Sequence, residues 1–140
     1  MIMAAGNQGG LAAQRSPARL GLKYKDDQAK YGFLHVVANI VPTGTADQVK
    51  NATTNFALKS SEPNPTNYGR AVRWGLLGTW LTKDTNGSAY LGSGTSYSAP
   101  ALSGILYHNV TSNSMPKTCV NVIKYKKNGT TYTHLVPTLK

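Results

Sequence analysis

Apolar runs and turn-forming residues alternate along the first third of the chain and predict two buried strands joined by a long loop. The apolar run at 1–5 ends in a turn rich in glycine, as expected for a buried strand that enters a sharp bend. Residues 33–41 are almost continuously apolar and rich in β-branched side chains, which predicts a strand covered on both faces. The polar, basic residues 11–30 predict a surface loop with a short helical turn near 26–30.

The rest of the chain predicts extended segments, one helix and a final hairpin. Residues 42–61 are interpreted as a loop with some extended structure. Extended segments at 71–74 and 78–82 precede an Asn-Gly turn at 86–87 and a short strand at 88–91. A helix-like run follows from 96 to 107, with a proline in its second turn that removes a hydrogen bond and bends the helix entry. Alternating segments at 118–125 and 130–136 flank a second Asn-Gly pair and predict a C-terminal β-hairpin.

Composition indicates one loop-rich globular domain. The 140 residues suffice for a single core, and the low share of charged residues with 14 glycines is typical of a folded, strand-containing protein. The single Cys119 excludes an internal disulfide and a cysteine metal cluster. No apolar run has the length of a membrane span, and the first residues lack the pattern of a signal peptide.

The formal net charge of +10 is compatible with an acidic partner such as nucleic acid. The basic residues are scattered, however, apart from Lys-Tyr-Lys-Lys at 124–127, which favours a solvated basic surface. A nucleic-acid partner is therefore not expected. All five carboxylates lie in polar, loop-like surroundings and are interpreted as surface charges: Asp26, Asp27, Asp47, Glu62 and Asp84.

The stretch Gly-Thr-Ser-Tyr-Ser-Ala-Pro at 94–100 carries the candidate chemistry. Gly94 allows a sharp bend, and Thr95 or Ser96 can cap the helix that follows. A hydroxyl there lies near the positive end of the helix dipole, which suits a nucleophile. As ordinary structure, the stretch would be a turn rich in serine and glycine at the head of a helix.

Together with Ser103 and Gly104, this stretch resembles the nucleophile motif of the subtilisin-like serine peptidases. In that family Gly-Thr-Ser is followed by a small residue, by a proline four positions after the serine, and by a small-Gly pair. The run that ends at Asn7 resembles the family's buried strand ending in Ala-Ala-Gly-Asn. The resemblance covers residues 1–108 with gaps, departs at 76–78 where Leu-Leu-Gly replaces Ala-Pro-Gly, and fades in the hairpin region 109–140. It implies an α/β fold, the C-terminal part of a subtilisin-like parallel-sheet domain with a C-terminal β-hairpin.

The resemblance also implies a function and the residues that perform it. In a serine-type endopeptidase, Ser96 would attack a carbonyl of the polypeptide substrate. Asn7 and the Ser96 backbone N–H would hold the oxyanion, a contribution of roughly 3–4 kcal/mol for one such donor. Ala4, Ala5 and Gly6 would line the substrate pocket. Outside the family, Asn7 is interpreted as a turn residue. No cofactor is required; some relatives bind structural calcium, but no spacing in this sequence indicates a metal site.

The aspartate and histidine of a catalytic triad have no matching motif in this sequence. In the family both lie upstream of the Ala-Ala-Gly-Asn strand. The resemblance therefore implies that this chain is the C-terminal half of a catalytic domain, inactive without a partner segment that carries both residues. His108 lies twelve residues after Ser96, roughly 18 Å along a helix, and His35 and His134 fall on predicted strands.

Two further expectations follow from the resemblance, and one alternative remains open. The half-domain is expected to expose an unpaired hydrophobic strand edge and to be poorly stable alone. Secretion is expected, as for most relatives. The alternative is a non-enzymatic, basic, β-rich binding module for nucleic acid or a capsid, for which Tyr125 and Tyr132, interleaved with lysines, give weak support.

Overall fold

A computed structural model of the chain describes residues 1–43, 56–62, 64–111 and 121–137. Three α-helices are present in these ranges, and two 3-10 turns at Ala12–Gln14 and Ala18–Leu20 precede the first. The helices are α1 (Gly21–Asp26), α2 (Gln28–Tyr31) and α3 (Thr95–Thr111). The strands are β1 (Ile2–Ala4), β2 (His35–Pro42), β3 (Phe56–Leu58), β4 (Trp74–Leu77), β5 (Thr79–Lys83), β6 (Ala89–Ser93), β7 (Asn121–Lys127) and β8 (Thr130–Val136).

The main sheet is mixed, with the order β1-β2-β4-β8-β7 and β3 added to β2. Strands β1, β2, β4 and β8 are parallel, whereas β3 and β7 run antiparallel to their neighbours. Strands β5 and β6 form a separate antiparallel hairpin. Parallel strands, a long helix and a C-terminal hairpin agree with the predicted α/β class. Within the described residues β1 forms one edge of the sheet, so the predicted strand edge lies there.

Strand β2 is covered on both faces, which confirms the prediction for 33–41. Its side chains alternate across the sheet. Val36 and its alternate neighbours join the core beneath α1, while Val37 packs in the cluster that holds α3. Both valines are fully buried, and each such side chain stabilises the fold by roughly 1.5–3 kcal/mol. The sheet is thus sandwiched between α3 and the N-terminal helical region.

The region 11–30 is more helical than the sequence predicted. The helical turn near 26–30 corresponds to α2, but α1 was missed because its apolar positions show no helical period. Gly21 is what allows α1 to lie so close to the sheet, since a Cβ there would overlap Ala71 O and lie 2.7 Å from a Val36 methyl. Tertiary contact, which the local sequence does not show, determines this helix.

Strand boundaries also differ from the prediction at one place. The segment 71–74 is not a strand: Val72 N donates to Gly69 O at 2.9 Å and closes a turn, so that β4 begins at Trp74. The predicted segments at 1–5, 78–82, 88–91, 96–107 and 130–136 are found with small shifts. Of the first arm of the final hairpin, residues 118–120 lie outside the described residues, as does most of the segment 42–61.

His134 on β8 is a fully buried histidine with an incomplete set of hydrogen bonds. Its Nδ1 donates to Val72 O at 3.2 Å, and its Nε2 is buried without a hydrogen-bond partner in the described part of the chain. Burial and, to a smaller degree, the charge of Lys25 lower the pKa of His134 to about 4, although the bond to Val72 opposes the shift. The ring is therefore neutral in the folded protein near pH 7.

Acidification from pH 7 to pH 4 is expected to destabilise the domain. An unfolded histidine has a pKa near 6.5, so the unfolded state binds more protons in this window and stability falls as the pH falls. For His134 the loss reaches about 3 kcal/mol at pH 4. Denaturant unfolding of His134→Gln at several pH values should show a flatter pH dependence than that of the unmodified protein. Equal slopes for the two proteins would contradict the assignment.

Candidate active site

The carboxyl ends of β1, β2 and β4 meet the N-terminal end of α3 at one end of the sheet. The turn before α3 is fixed to the end of β4, because Gly94 N donates to Gly78 O at 2.8 Å. Gly78 N in turn donates to Asn39 Oδ1 at 2.8 Å, and Asn39 on β2 is fully buried. Ligand sites of parallel sheets commonly lie at this end of the strands.

Asn7 and the head of α3 are in direct contact although 88 residues separate Asn7 from Thr95. Asn7 Oδ1 accepts a hydrogen bond from Thr95 N at 2.9 Å, so a side chain outside the helix satisfies one of its free N–H groups. Thr95 is buried, and its hydroxyl accepts from Gly6 N at 3.2 Å. Because Oδ1 is used in this way, the Nδ2 group of Asn7 remains to donate to another acceptor.

Gly94 makes the close approach of these two segments possible. A Cβ at Gly94 would lie 3.1 Å from Asn7 Nδ2 and 3.5 Å from Oδ1. Any larger residue there would therefore displace the Asn7 carboxamide. The glycine predicted for a sharp bend is needed here to bring the start of α3 against Asn7.

Ser96 is the exposed hydroxyl of the turn. Thr95 and Ser98 on either side of it are buried, and Ser98 Oγ donates to Leu76 O at 3.0 Å. The Ser96 N–H belongs to the first helical turn, where N–H groups have no acceptor within the helix. Pro100 has no N–H to donate to the Ser96 carbonyl, which loosens the same turn. Ser96 therefore presents both a hydroxyl and a backbone donor at the helix N-terminus.

The turn after β1 is held by Asn67, a residue that no local pattern in the sequence singled out. Asn67 is fully buried; its Oδ1 accepts from Gln8 N at 3.1 Å, and its Nδ2 donates to Ala5 O at 2.8 Å. Gly6 adopts a positive φ of 97°, and a Cβ there would lie 2.5 Å from Asn67 Nδ2. Asn67 thus fixes the path of the backbone that presents Asn7.

The predicted wall of the substrate pocket is divided between surface and core. Ala4 and Gly6 are partly exposed, but the Ala5 side chain is 1% exposed and lies in the core on the face opposite α3. Ala5 N donates to Val37 O at 2.9 Å. Of these three residues, Ala5 can therefore offer only backbone atoms to a ligand.

Asn39 is a second polar residue at this end of the sheet, and its role in joining the strands was not predicted from the sequence. Its carboxamide accepts from Gly78 N and lies 3.3 Å from Ser93 Oγ. Its backbone N–H donates to Thr66 Oγ1 at 3.0 Å. An asparagine inside the otherwise apolar run 33–41 was the signal available in the sequence. Asn39 links the ends of β2, β4 and β6.

The histidines lie away from Ser96. His35 pairs in register with Ile2 at the opposite end of β1, and its Nδ1 accepts from Trp74 Nε1 at 3.1 Å. Burial, then the charges of Arg73 and the N-terminus, lower its pKa to about 4. His108 is in the last turns of α3, and His134 is enclosed beside Val72. In the part of the chain described, no hydrogen bond or ion pair joins a histidine or carboxylate to Ser96.

Comparisons with known proteins do not assign a function to this site, so its interpretation depends on the geometry described above. No protein-family model and no curated protein matches this chain. Over the described ranges, no three or more histidine, cysteine, aspartate or glutamate side chains are grouped so that they could hold a metal ion. None of the helices described is long and apolar enough to cross a bilayer.

The tyrosines of the alternative interpretation pack on one another. Tyr125 and Tyr132 pair across β7 and β8, and their ring centroids lie 5.1 Å and 5.6 Å from that of Tyr68. Tyr68 is buried, and Lys127 Nζ lies 5.3 Å from its ring centroid. The three rings form a cluster at the edge of the core and not an open row of stacking platforms.

Proposed function

We propose that this chain is part of a serine endopeptidase of subtilisin type, with Ser96 as its nucleophile. The observation that carries the proposal is the hydrogen bond from Thr95 N to Asn7 Oδ1, which holds an amide donor beside the head of α3. Acyl transfer requires a nucleophile and an oxyanion donor at one place. In this proposal, two segments that are far apart in the sequence supply them.

The proposed reaction uses each element of the site. Ser96 Oγ attacks the carbonyl carbon of a peptide bond and loses its proton to a base, and the negative charge develops on the carbonyl oxygen. Asn7 Nδ2 and the Ser96 N–H donate to that oxygen, aided by the positive end of the α3 dipole. The amine leaves with a proton, and water then hydrolyses the ester on Ser96. Ala4 and Gly6, with the backbone of Ala5, border the bound substrate.

The base and its carboxylate are proposed to come from a partner segment outside these 140 residues. None of the three histidines is placed beside Ser96, and a serine nucleophile needs both a base and a group that orients it. The chain then corresponds to the C-terminal half of a catalytic domain, inactive by itself. The same proposal includes secretion of the protein.

Reaction with a fluorophosphonate probe tests the function. The chain is combined with the N-terminal half of a subtilisin-type catalytic domain, and assembly is followed by co-purification. The expected result is labelling of the assembled protein at Ser96, located by peptide mapping, and none of the separate chain. Co-purification without labelling would contradict the proposal. Salt-sensitive retention on nucleic acid without labelling would instead support the binding-module alternative.

Asn7→Ala is expected to lower the kcat of the assembled enzyme by roughly a hundredfold or more, because one oxyanion donor is lost. KM should change little, since the donor acts on charge that develops in the transition state. Loss of the bond to Thr95 N should also lower the stability of the domain by about 1 kcal/mol. Steady-state kinetics and denaturant unfolding separate the two effects. A loss of stability with unchanged kcat would show that Asn7 is only structural.

A further inference from the structure

On the face of the sheet opposite α3, a half-open cavity of about 190 Å³ carries two cationic side chains that the proposed reaction does not use. Lys25 from α1 and Arg70 from the segment before β4 lie on its wall. The far side belongs to the start of β8, at Thr131 and Thr133. The other lining residues are Gly69, Val72 and Tyr132.

Like charges meet at this cavity. Burial, followed by the positive charges of Arg73 and Arg70, lowers the pKa of Lys25. Arg73 itself does not line the cavity: its guanidinium stacks 4.1 Å from the ring centroid of Tyr24 and donates to Gly32 O at 3.1 Å. Cations brought together by the fold repel one another, so an anion bound between them would relieve that repulsion.

Asp27, a carboxylate of the same region, makes a hydrogen bond outside the cavity. Asp27 on the neighbouring helix accepts from Lys30 N at 3.0 Å and so caps α2. Within the described residues no salt bridge connects Lys25 or Arg70 to an acidic side chain. The wall thus combines an ammonium and a guanidinium, two groups that proteins use to bind phosphate oxygens.

We propose that the cavity between Lys25, Arg70 and the Thr131–Thr133 segment is a binding site for a phosphate group. Arg70 provides a planar fork for two oxygens, and Lys25 provides a compact charge. The site lies on the face of the sheet away from α3 and is independent of the peptidase reaction.

Titration of the protein with inorganic phosphate tests the site, with sodium chloride at equal ionic strength as the reference. Phosphate is expected to raise the Tm and to give saturable amide shifts in the 1H–15N spectrum at residues 69–72 and 131–133. Lys25→Met and Arg70→Gln should each weaken binding about tenfold. Lys83→Gln on the β5–β6 hairpin removes the same charge far from the cavity and should leave binding within about twofold.

Phenyl phosphate is titrated in parallel, because the half-open cavity admits either the free ion or a phosphate ester. Tighter binding of the ester assigns the site to a phosphorylated molecule, and tighter binding of inorganic phosphate assigns it to the free ion. Shifts spread over the whole basic surface, or equal weakening by Lys83→Gln, would overturn the proposal. If a cavity variant does not fold, the spectrum of the unmodified protein still decides.

Discussion

Replacing Ser96 with alanine in the assembled enzyme is expected to abolish fluorophosphonate labelling and to lower peptide hydrolysis by about six orders of magnitude. The hydroxyl is the proposed nucleophile, and no neighbouring hydroxyl can replace it, because Thr95 and Ser98 are buried and hydrogen-bonded. The side chain is exposed, so its truncation should leave the fold unchanged. The measurement is kcat/KM for a fluorogenic peptide, with thermal unfolding as a check of integrity.

Ser103→Ala is the matched control for that experiment. Ser103 lies on the exposed surface of the same helix and donates to Ala99 O at 3.0 Å. Its loss removes one serine hydroxyl from α3 without touching the turn that holds Asn7. Activity is expected to stay within a few-fold of the unmodified enzyme. Full activity in Ser96→Ala would end the peptidase proposal.

Replacing Gly78 with alanine is expected to destabilise the domain by about 4 kcal/mol. The added methyl would overlap the Ser98 hydroxyl and lie 2.5 Å from Gly94 O and 2.9 Å from the Asn39 carboxamide carbon. All three neighbours are themselves fixed by hydrogen bonds to Gly78 or to the end of β4. Relief of the overlap therefore breaks bonds as well as packing. Since small domains are stable by only about 5–15 kcal/mol, this is a large share of the total.

Gly104→Ala makes the same chemical change and is expected to have the opposite effect on the stability of the domain. Gly104 lies within α3, and a Cβ there meets nothing within 4 Å. Alanine should stabilise the helix by roughly 0.5–1 kcal/mol relative to glycine. Urea unfolding of both variants at constant m-value measures the contrast. Equal effects would show that the packing around Gly78 is looser than the structure indicates.

The sequence predicted those elements whose pattern is local. The apolar run of β2, the Asn-Gly turns and the run of α3 are recognisable because period and turn chemistry are contained in neighbouring residues. Helix α1 was missed because Gly21 packs against Ala71 and Val36, which are distant in the chain. The start of β4 was misplaced for a similar reason, a turn closed by a hydrogen bond from Val72 to Gly69.

The same distinction between local pattern and tertiary contact applies to the candidate site. Asn7 and Ser96 could be named from motif resemblance, but the contact of Asn7 with the head of α3 depends on tertiary packing that no local pattern contains. Asn67 and Asn39 were missed because their partners lie far away: Asn67 bonds to the turn after β1, and Asn39 to Gly78 and Thr66. The buried state of Ala5 likewise depends on which face of β1 it occupies.

The bond between Asn7 and the head of α3 also bears on when the site comes into being during synthesis. A ribosome releases Asn7 long before Thr95, so a nascent chain carries the amide donor without the helix that orients it. Under the peptidase proposal, the unfinished polypeptide cannot cleave proteins around it. The ability to hydrolyse a peptide bond then arises only once this tertiary structure is complete and the partner segment has joined it.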